Sequence, residues 1–179
     1  AGLEPQVWPA CAATLLDLDT PVDVQIAALH PACGPRLRAY VRELGWDDSR
    51  LRAARAVLLT AGRQVVLAGR VPQSTWAYLE SRTLCWLRVF SEERGMRASQ
   101  RLAQGKVRSL LAEHLSRVGT TVFFDTLAQL ADAVFLDSRV VMAAHGGWPS
   151  AADRFHSDLY RVEKISDPFL REFTQGALE

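Results

Sequence analysis

The sequence lacks the features that mark membrane and secreted proteins. It has no uninterrupted run of about 18 apolar residues, so no membrane-spanning helix and no membrane contact are expected. Its three cysteines lie far apart, which argues against a disulfide framework and favours a reducing compartment. The first residues lack the basic start and the apolar core of a signal peptide. Together these absences predict a cytoplasmic protein.

Close-spaced metal ligands and phosphate-binding loops are also lacking. The four histidines and three cysteines do not show a zinc-binding spacing, and the glycines are isolated rather than grouped as in a phosphate loop. No serine lies in the sequence context of a nucleophile elbow. We therefore expect neither a metal nor a cofactor, and the sequence leaves open whether the protein is an enzyme.

Basic residues are concentrated in the middle of the chain, although the formal net charge is only +1. Residues 81–120 contain eight basic and three acidic side chains, whereas residues 121–179 contain nine acidic and five basic ones. Such a distribution indicates either a binding face for an acidic partner or pairing between two regions of the chain. We favour internal pairing, because neighbouring helices of opposite charge pack readily.

Length and hydrophobic patterning predict a helix-dominated α+β protein in which a portion with a small β-hairpin precedes a helical bundle. The 179 residues suggest a single domain, with a division into an α/β portion (1–80) and a helical portion (81–179) as the alternative. Apolar runs at 56–59 and 65–68 flank a glycine-containing turn, which predicts the hairpin. The candidates for further strands are residues 15–18, 84–90 and 121–124, or a second subunit.

Capping signals mark the ends of several predicted helices. They are a Thr-Pro-Val-Asp start at 20–23, a glycine stop at 45 after a helix over 36–44, a capping box at 150–153 that opens a helix to about residue 162, and an Asp-Pro start at 167–168 before a helix over 169–176. These signals depend on local backbone chemistry, so we expect them to hold in any tertiary context.

The stretch from Arg55 to Thr75 has a local likeness to a known family. Its two apolar runs and the following Pro-Gln-Ser-Thr resemble the strand pair and the Pro-x-Ser-Thr of the chorismate lyase family. The resemblance implies a shared hairpin. We transfer no functional residue from it, because the chain turns helical downstream.

The best functional lead is residues 111–130, whose spacing is similar to that of a helix-turn-helix. The residues that fit the pattern are Ala112, Leu115, Ser116 and Val122. Arg117 and Asp125 deviate, since an apolar turn residue and a core residue are expected at those positions. The alternative is an amphipathic helix pair joined at 119–121, whose second member is a long helix over 122–144.

Three functional hypotheses follow. We rank first a non-catalytic binding or regulatory protein, whose basic segment 82–117 contacts nucleic acid or an acidic protein partner. The candidate contact residues are Arg94, Arg97, Arg101, Lys106, Arg108, Arg117, Thr120 and Thr121. The second hypothesis is a small enzyme with a pocket near Asp132, His145 and Trp148. The third is a subunit whose partner completes its sheet, and a homodimer is left open.

Overall fold

A computed structural model of the chain describes residues 16–179. The chain forms two compact units, one that ends at Asp48 and one from Ser49 to Glu179. The predicted helix-dominated α+β class is confirmed, since the described residues contain eight α-helices and a small parallel sheet of three strands. No helix in this part of the chain is both long and apolar enough to cross a membrane.

The first unit contains two short helices whose ends follow the predicted signals. Helix α1 spans Pro21–Leu29 and helix α2 spans Pro35–Leu44. The Thr20 side chain accepts a hydrogen bond from the Asp23 amide at 3.3 Å, and the Asp23 carboxylate accepts one from the Thr20 amide at 2.9 Å. This reciprocal cap satisfies two amides at the start of the helix. Gly45, with a φ of 60°, ends α2 in the left-handed conformation.

The second unit alternates helices and strands. Its elements are α3 (Ser49–Leu58), β1 (Gln64–Gly69), α4 (Gln73–Arg82), β2 (Trp86–Ser91), α5 (Leu110–Leu130), β3 (Ala133–Leu136), α6 (Arg139–Ala144), α7 (Ala151–Asp158), a 3₁₀ turn (Val162–Lys164) and α8 (Pro168–Gly176). The predicted starts of α7 and α8 are confirmed by the side-chain caps of Ser150 and Asp167. Helix α7 ends earlier than predicted.

The sheet is covered by helices on two faces. Its strand order is β2-β1-β3, and both pairs of strands are parallel. Val66 and Ala68 of β1 pack in one core cluster with residues of α5, α6 and α8, whereas Val65 and Leu67 pack in a second cluster with residues of α3 and α4. Because successive strand residues point to opposite sides, these clusters define an α5 face and an α4 face of the sheet.

The predicted hairpin is wrong. Residues 56–58 form the end of α3, and the run at 65–68 is β1, which pairs in parallel with β2 and β3. A short apolar run fits a helix end as well as a strand, so its pattern cannot decide between them. The resemblance to the chorismate lyase family fails for the same reason.

The candidate strands had mixed outcomes. The run at 84–90 is confirmed as β2, whereas residues 121–124 lie within α5. Residues 16–18 form no strand, and Leu15 lies outside the described residues. The chain has a third strand that was not predicted, β3.

The predicted long helix over 122–144 is also wrong. Helix α5 ends at Leu130, β3 follows, and α6 begins at Arg139. The predicted joint near 119–121 is confirmed, because Gly119 has non-helical dihedral angles (φ 78°, ψ 168°) and divides α5 into two helical segments. Strand β3 contributes apolar residues to both core clusters, Val134 and Leu136 to one and Ala133 and Phe135 to the other, so its consecutive apolar residues also fit a helix.

Candidate ligand site at the carboxyl edge of the sheet

The carboxyl ends of the three strands meet at one edge of the sheet. After β1 the chain continues into α4 on one face, and after β2 it continues into α5 on the other face. In a parallel sheet of order β2-β1-β3, this change of side places the usual ligand crevice between the ends of β1 and β3. In such a sheet, the side chains at this edge are therefore the ones expected to form a ligand site.

The crevice between β1 and β3 is filled by the protein itself. The Asp137 carboxylate, just after β3, accepts hydrogen bonds from Arg70 Nε at 3.0 Å and from Arg139 Nε at 2.7 Å. Gly69 ends β1 with a φ of 104°, and a Cβ on this residue would lie 2.4 Å from the Asp137 carbonyl oxygen. The ends of the two strands are therefore in direct contact, and the crevice is closed.

The charges around Asp137 fit a structural role, in which its carboxylate is held between Arg70 and Arg139. We call this arrangement the Asp137 clamp. Burial by itself raises the pKa of this carboxyl, but the hydrogen bond and charge of Arg139, together with the charge of Arg70, hold the pKa below its usual value. The group is therefore charged at neutral pH and fixed between two guanidinium groups. A general acid or base needs a pKa near the working pH, which this environment opposes.

The amino end of α5 is occupied by a carboxylate of the same chain. Glu92 Oε1 accepts hydrogen bonds from the Leu111 amide at 3.0 Å and from the Ser109 hydroxyl at 3.2 Å. The amino end of a helix attracts anions because its first amides lack helical partners, and here Glu92 takes that position. A ligand at this edge must therefore be held by groups outside the crevice.

Such groups lie on the loop that joins β2 to α5, residues 92–109, which we call the arginine loop. Met96 and Val107 anchor it in the core cluster of the α5 face, where both are buried. Its exposed cations are Arg94, Arg97, Lys106 and Arg108. Arg101 differs, since it forms an ion pair with Glu93 of the same loop at 3.1 Å. The loop therefore presents several cations from a backbone that is fixed to the core.

Trp148 lies beside the arginine loop. The Arg97 guanidinium is 4.7 Å from the centre of the Trp148 ring, and the Arg154 guanidinium is 5.6 Å from it. A cation over an aromatic ring is attracted by the negative face of the ring. This contact holds part of the loop against the segment that precedes α7.

The candidate contact residues Thr120 and Thr121 lie at the start of the second segment of α5, which is partly engaged in packing. The Thr120 hydroxyl donates a hydrogen bond to Glu172 of α8 at 2.7 Å, and Phe123 is buried against Phe124 and Phe173. Thr121 is exposed. The second segment of α5 thus packs against α8, where a recognition helix would need a free surface.

Arg117 lies apart from the arginine loop. It is exposed on the first segment of α5, where it lines a shallow, open depression with Leu110, Glu113 and His114. These four residues follow helical spacing, so they form one solvated face of the helix. The depression is therefore the outer surface of α5.

The favoured internal pairing of charges has a different form from the one predicted. In the described part of the chain, Arg101 pairs with Glu93 within the basic segment itself. Of the acidic residues in 121–179, Asp132 pairs with Arg63 and Asp137 with Arg70, and both arginines precede the basic segment. These pairs tie β1 to β3 and leave the arginine loop exposed.

The residues of the enzyme hypothesis have separate structural partners. Asp132 lies at the amino edge of the sheet, where the Gln64 amide (2.8 Å) and Arg63 (2.6 Å) lower its pKa. The His145 ring stacks on Phe169 with 3.8 Å between the ring centres. Within residues 16–179, no group of three or more His, Cys, Asp or Glu side chains is arranged to hold a metal ion.

The predicted site residues do not include Arg70, Asp137 and Arg139, which close the crevice. The sequence does contain a signal for them. Three short segments that are wholly or mainly apolar, at 65–68, 86–90 and 133–136, are separated by stretches of helical length. Strands that alternate with helices predict a parallel sheet. The polar residues after each run would then meet at one edge.

Comparison with known proteins identifies no relative. No protein-family model matches the chain, and no curated protein or solved structure shows a detectable similarity to it.

Proposed function

We propose that this protein is a non-catalytic nucleic-acid-binding protein whose arginine loop contacts phosphate groups. The observation that carries the proposal is the exposure of basic side chains on a loop whose backbone is anchored by buried Met96 and Val107. The side chains in question are Arg94, Arg97, Lys106 and Arg108. Three of the four are arginine, which can hold a phosphate through two parallel hydrogen bonds.

An extended polyanion fits this arrangement better than a small anion does. The crevice and the amino end of α5, where a small anion would bind in such a sheet, are occupied by Asp137 and Glu92. The exposed cations are instead spread along a loop, which matches a ligand with repeated phosphates. The carboxylates Asp132 and Asp137 are held in ion pairs, which supports a binding role over catalysis.

The test is the salt dependence of binding to fluorescently labelled oligonucleotides, measured by anisotropy. The loop variant carries Arg94→Gln, Arg97→Gln, Lys106→Gln and Arg108→Gln. The matched control removes the same number and types of exposed cations elsewhere, through Arg36→Gln, Arg42→Gln, Arg55→Gln and Lys164→Gln. Thermal unfolding of both variants checks that they fold.

For the wild type, we expect affinity to fall steeply with salt, because phosphate contacts release counterions. The slope of log affinity against log salt should shrink by up to about 0.9 for each phosphate contact removed in the loop variant, and the control should keep the wild-type slope. Absence of binding at low salt, or equal losses in both variants, contradicts the proposal. Binding to an acidic protein but to no oligonucleotide would also contradict it.

A further inference from the structure

One face of strand β2 is exposed although it carries large aromatic side chains. Trp86 is 65% exposed and Phe90 is 40% exposed, and Arg88 between them is exposed as well. Their partners in β1 belong to the α5 face, where the helices cover β1 and β3. Strand β2 lies at the edge of the sheet, beyond this cover. Aromatic side chains left in water at such a position indicate an interaction surface.

The spacing along β2 is regular because alternate residues of a strand point to the same side. At about 3.3 Å per residue, Arg88 is about 7 Å from each aromatic residue along the strand, and the two aromatic residues are about 13 Å apart. Arg88 Nη1 donates hydrogen bonds to Gln64 Oε1 and to the Leu130 carbonyl. Both contacts use Nη1, so among the described residues Nε and Nη2 keep their donors for another group.

The exposed face of β2 continues into the arginine loop. The loop begins directly after Ser91, and its anchors Met96 and Val107 are in the core cluster of the α5 face. At these two anchors the loop therefore packs on the side of the sheet that carries the exposed aromatic residues. On the other side, Leu87 and Val89 pack in the cluster of the α4 face.

We propose that this surface binds single-stranded nucleic acid, with Trp86 and Phe90 stacking on bases and Arg88 contacting the backbone between them. The proposal rests on the proposed function and specifies its ligand. Every base presents a flat face that can stack on an aromatic ring, and cations beside the rings neutralise the phosphates. In a duplex the bases already stack on one another, so exposed rings have nothing comparable to bind.

The position of Arg88 also argues against a second copy of the chain as the occupant. In a twofold pairing of two β2 strands centred on Arg88, the two guanidinium groups would lie opposite each other, and like charges in that position are destabilising. The polyanion, in contrast, complements Arg88 and the arginine loop at the same time.

The experiment compares binding of a labelled oligodeoxythymidylate and of a labelled DNA duplex of equal length. The test variant carries Trp86→Leu and Phe90→Leu. The matched control carries Trp76→Leu and Tyr78→Leu, two aromatic residues of α4 that are also exposed. All four residues are at least 40% exposed, and leucine keeps an apolar side chain at each position, so we expect both variants to unfold at nearly the wild-type temperature.

We expect the wild type to bind the single strand more tightly than the duplex. The test variant should lose about 5- to 140-fold in single-strand affinity for each stacked base and keep its duplex affinity, while the control should behave as the wild type.

Three outcomes overturn the inference. If the test variant binds both ligands as the wild type does, the inference fails. The proposed function is then decided separately, by the salt dependence of the loop variant. If the wild type binds neither ligand, the inference and the proposed function are both contradicted. If the test variant changes the monomer–dimer equilibrium in sedimentation and leaves binding unchanged, the face is an interface between copies.

Discussion

Strands β1 and β2 are neighbours of equal length, paired residue for residue, yet their surroundings differ. Every residue of β1 after Gln64 is buried, whereas β2 exposes Trp86, Arg88 and Phe90 and half-buries Leu87 and Val89. Both strands are rich in apolar side chains, so composition does not explain the difference. Helices cover β1 on both faces and leave one face of β2 open. Strand β1 is thus part of the closed core, whereas β2 keeps the open face on which the proposed binding surface lies.

The largest expected effect comes from replacing paired core positions of the two strands. Leu67 of β1 is buried, and its partner in the register is Val89 of β2. Leu67→Ala should lower the free energy of unfolding by about 2–5 kcal/mol, because it leaves a cavity in a closed core. Val89→Ala removes a smaller apolar area that is only half-buried, so it should lower the free energy of unfolding by about 1 kcal/mol. Urea unfolding followed by circular dichroism measures both losses, and equal losses would contradict the difference in burial between β1 and β2.

A smaller effect is expected where β1 ends against β3. Gly69→Ala forces a side chain into the left-handed region and against the Asp137 carbonyl, so it should cost about 2–4 kcal/mol. Gly62→Ala is the matched control, because its φ is also positive, at 76°, but a Cβ there meets nothing within 4 Å. The control should cost about 1–2 kcal/mol from backbone strain alone. Similar losses in the two variants would show that close contact at Gly69 does not matter.

The smallest of these effects concerns the clamp on Asp137, and it depends on pH. The folded-state pKa of Asp137 lies below the unfolded value of about 3.9, so its stabilisation is complete above that value and is lost as pH falls through the folded pKa. Asp137→Asn should therefore cost about 1.5–3 kcal/mol at neutral pH and progressively less in acid. Asp125→Asn, at an exposed carboxylate, should change stability by less than about 0.5 kcal/mol. If Asp137→Asn lowers the free energy of unfolding by the same amount throughout this pH range, the stabilising role of the Asp137 carboxylate is contradicted.

Helix ends could be predicted from the sequence because their chemistry is local. The cap of α1 is formed by Thr20 and Asp23, and that of α8 by Asp167 and the amide of Leu170. In each pair the two residues lie three positions apart in the sequence, so the short-range pattern contains the whole interaction. The strands lack such a signal. The short apolar run of β3 becomes a strand because β1 is its partner, and that pairing is set by tertiary structure.

The candidate site could be predicted in part. The cations of the arginine loop follow from the local excess of positive charge in the sequence. The exposure of Trp86 and Phe90 cannot be predicted from the sequence, because aromatic residues in a mainly apolar segment are usually buried. Their exposure depends on β2 lying at the sheet edge and on α5 lying over β1 and β3. The ion pair of Arg70 with Asp137 likewise requires two distant strands to meet.

Strand β1 comes first of the three strands in the described residues but occupies the centre of the sheet. During synthesis on a ribosome, β2 becomes available soon after β1, because α4 is the only helix between them. Strand β3 follows only after the arginine loop and the 21 residues of α5. One hydrogen-bonding edge of apolar β1 therefore stays open until residue 136 has emerged, and closing so long a loop is entropically slow. In the half-built sheet this unpaired apolar edge is a site at which chains can aggregate.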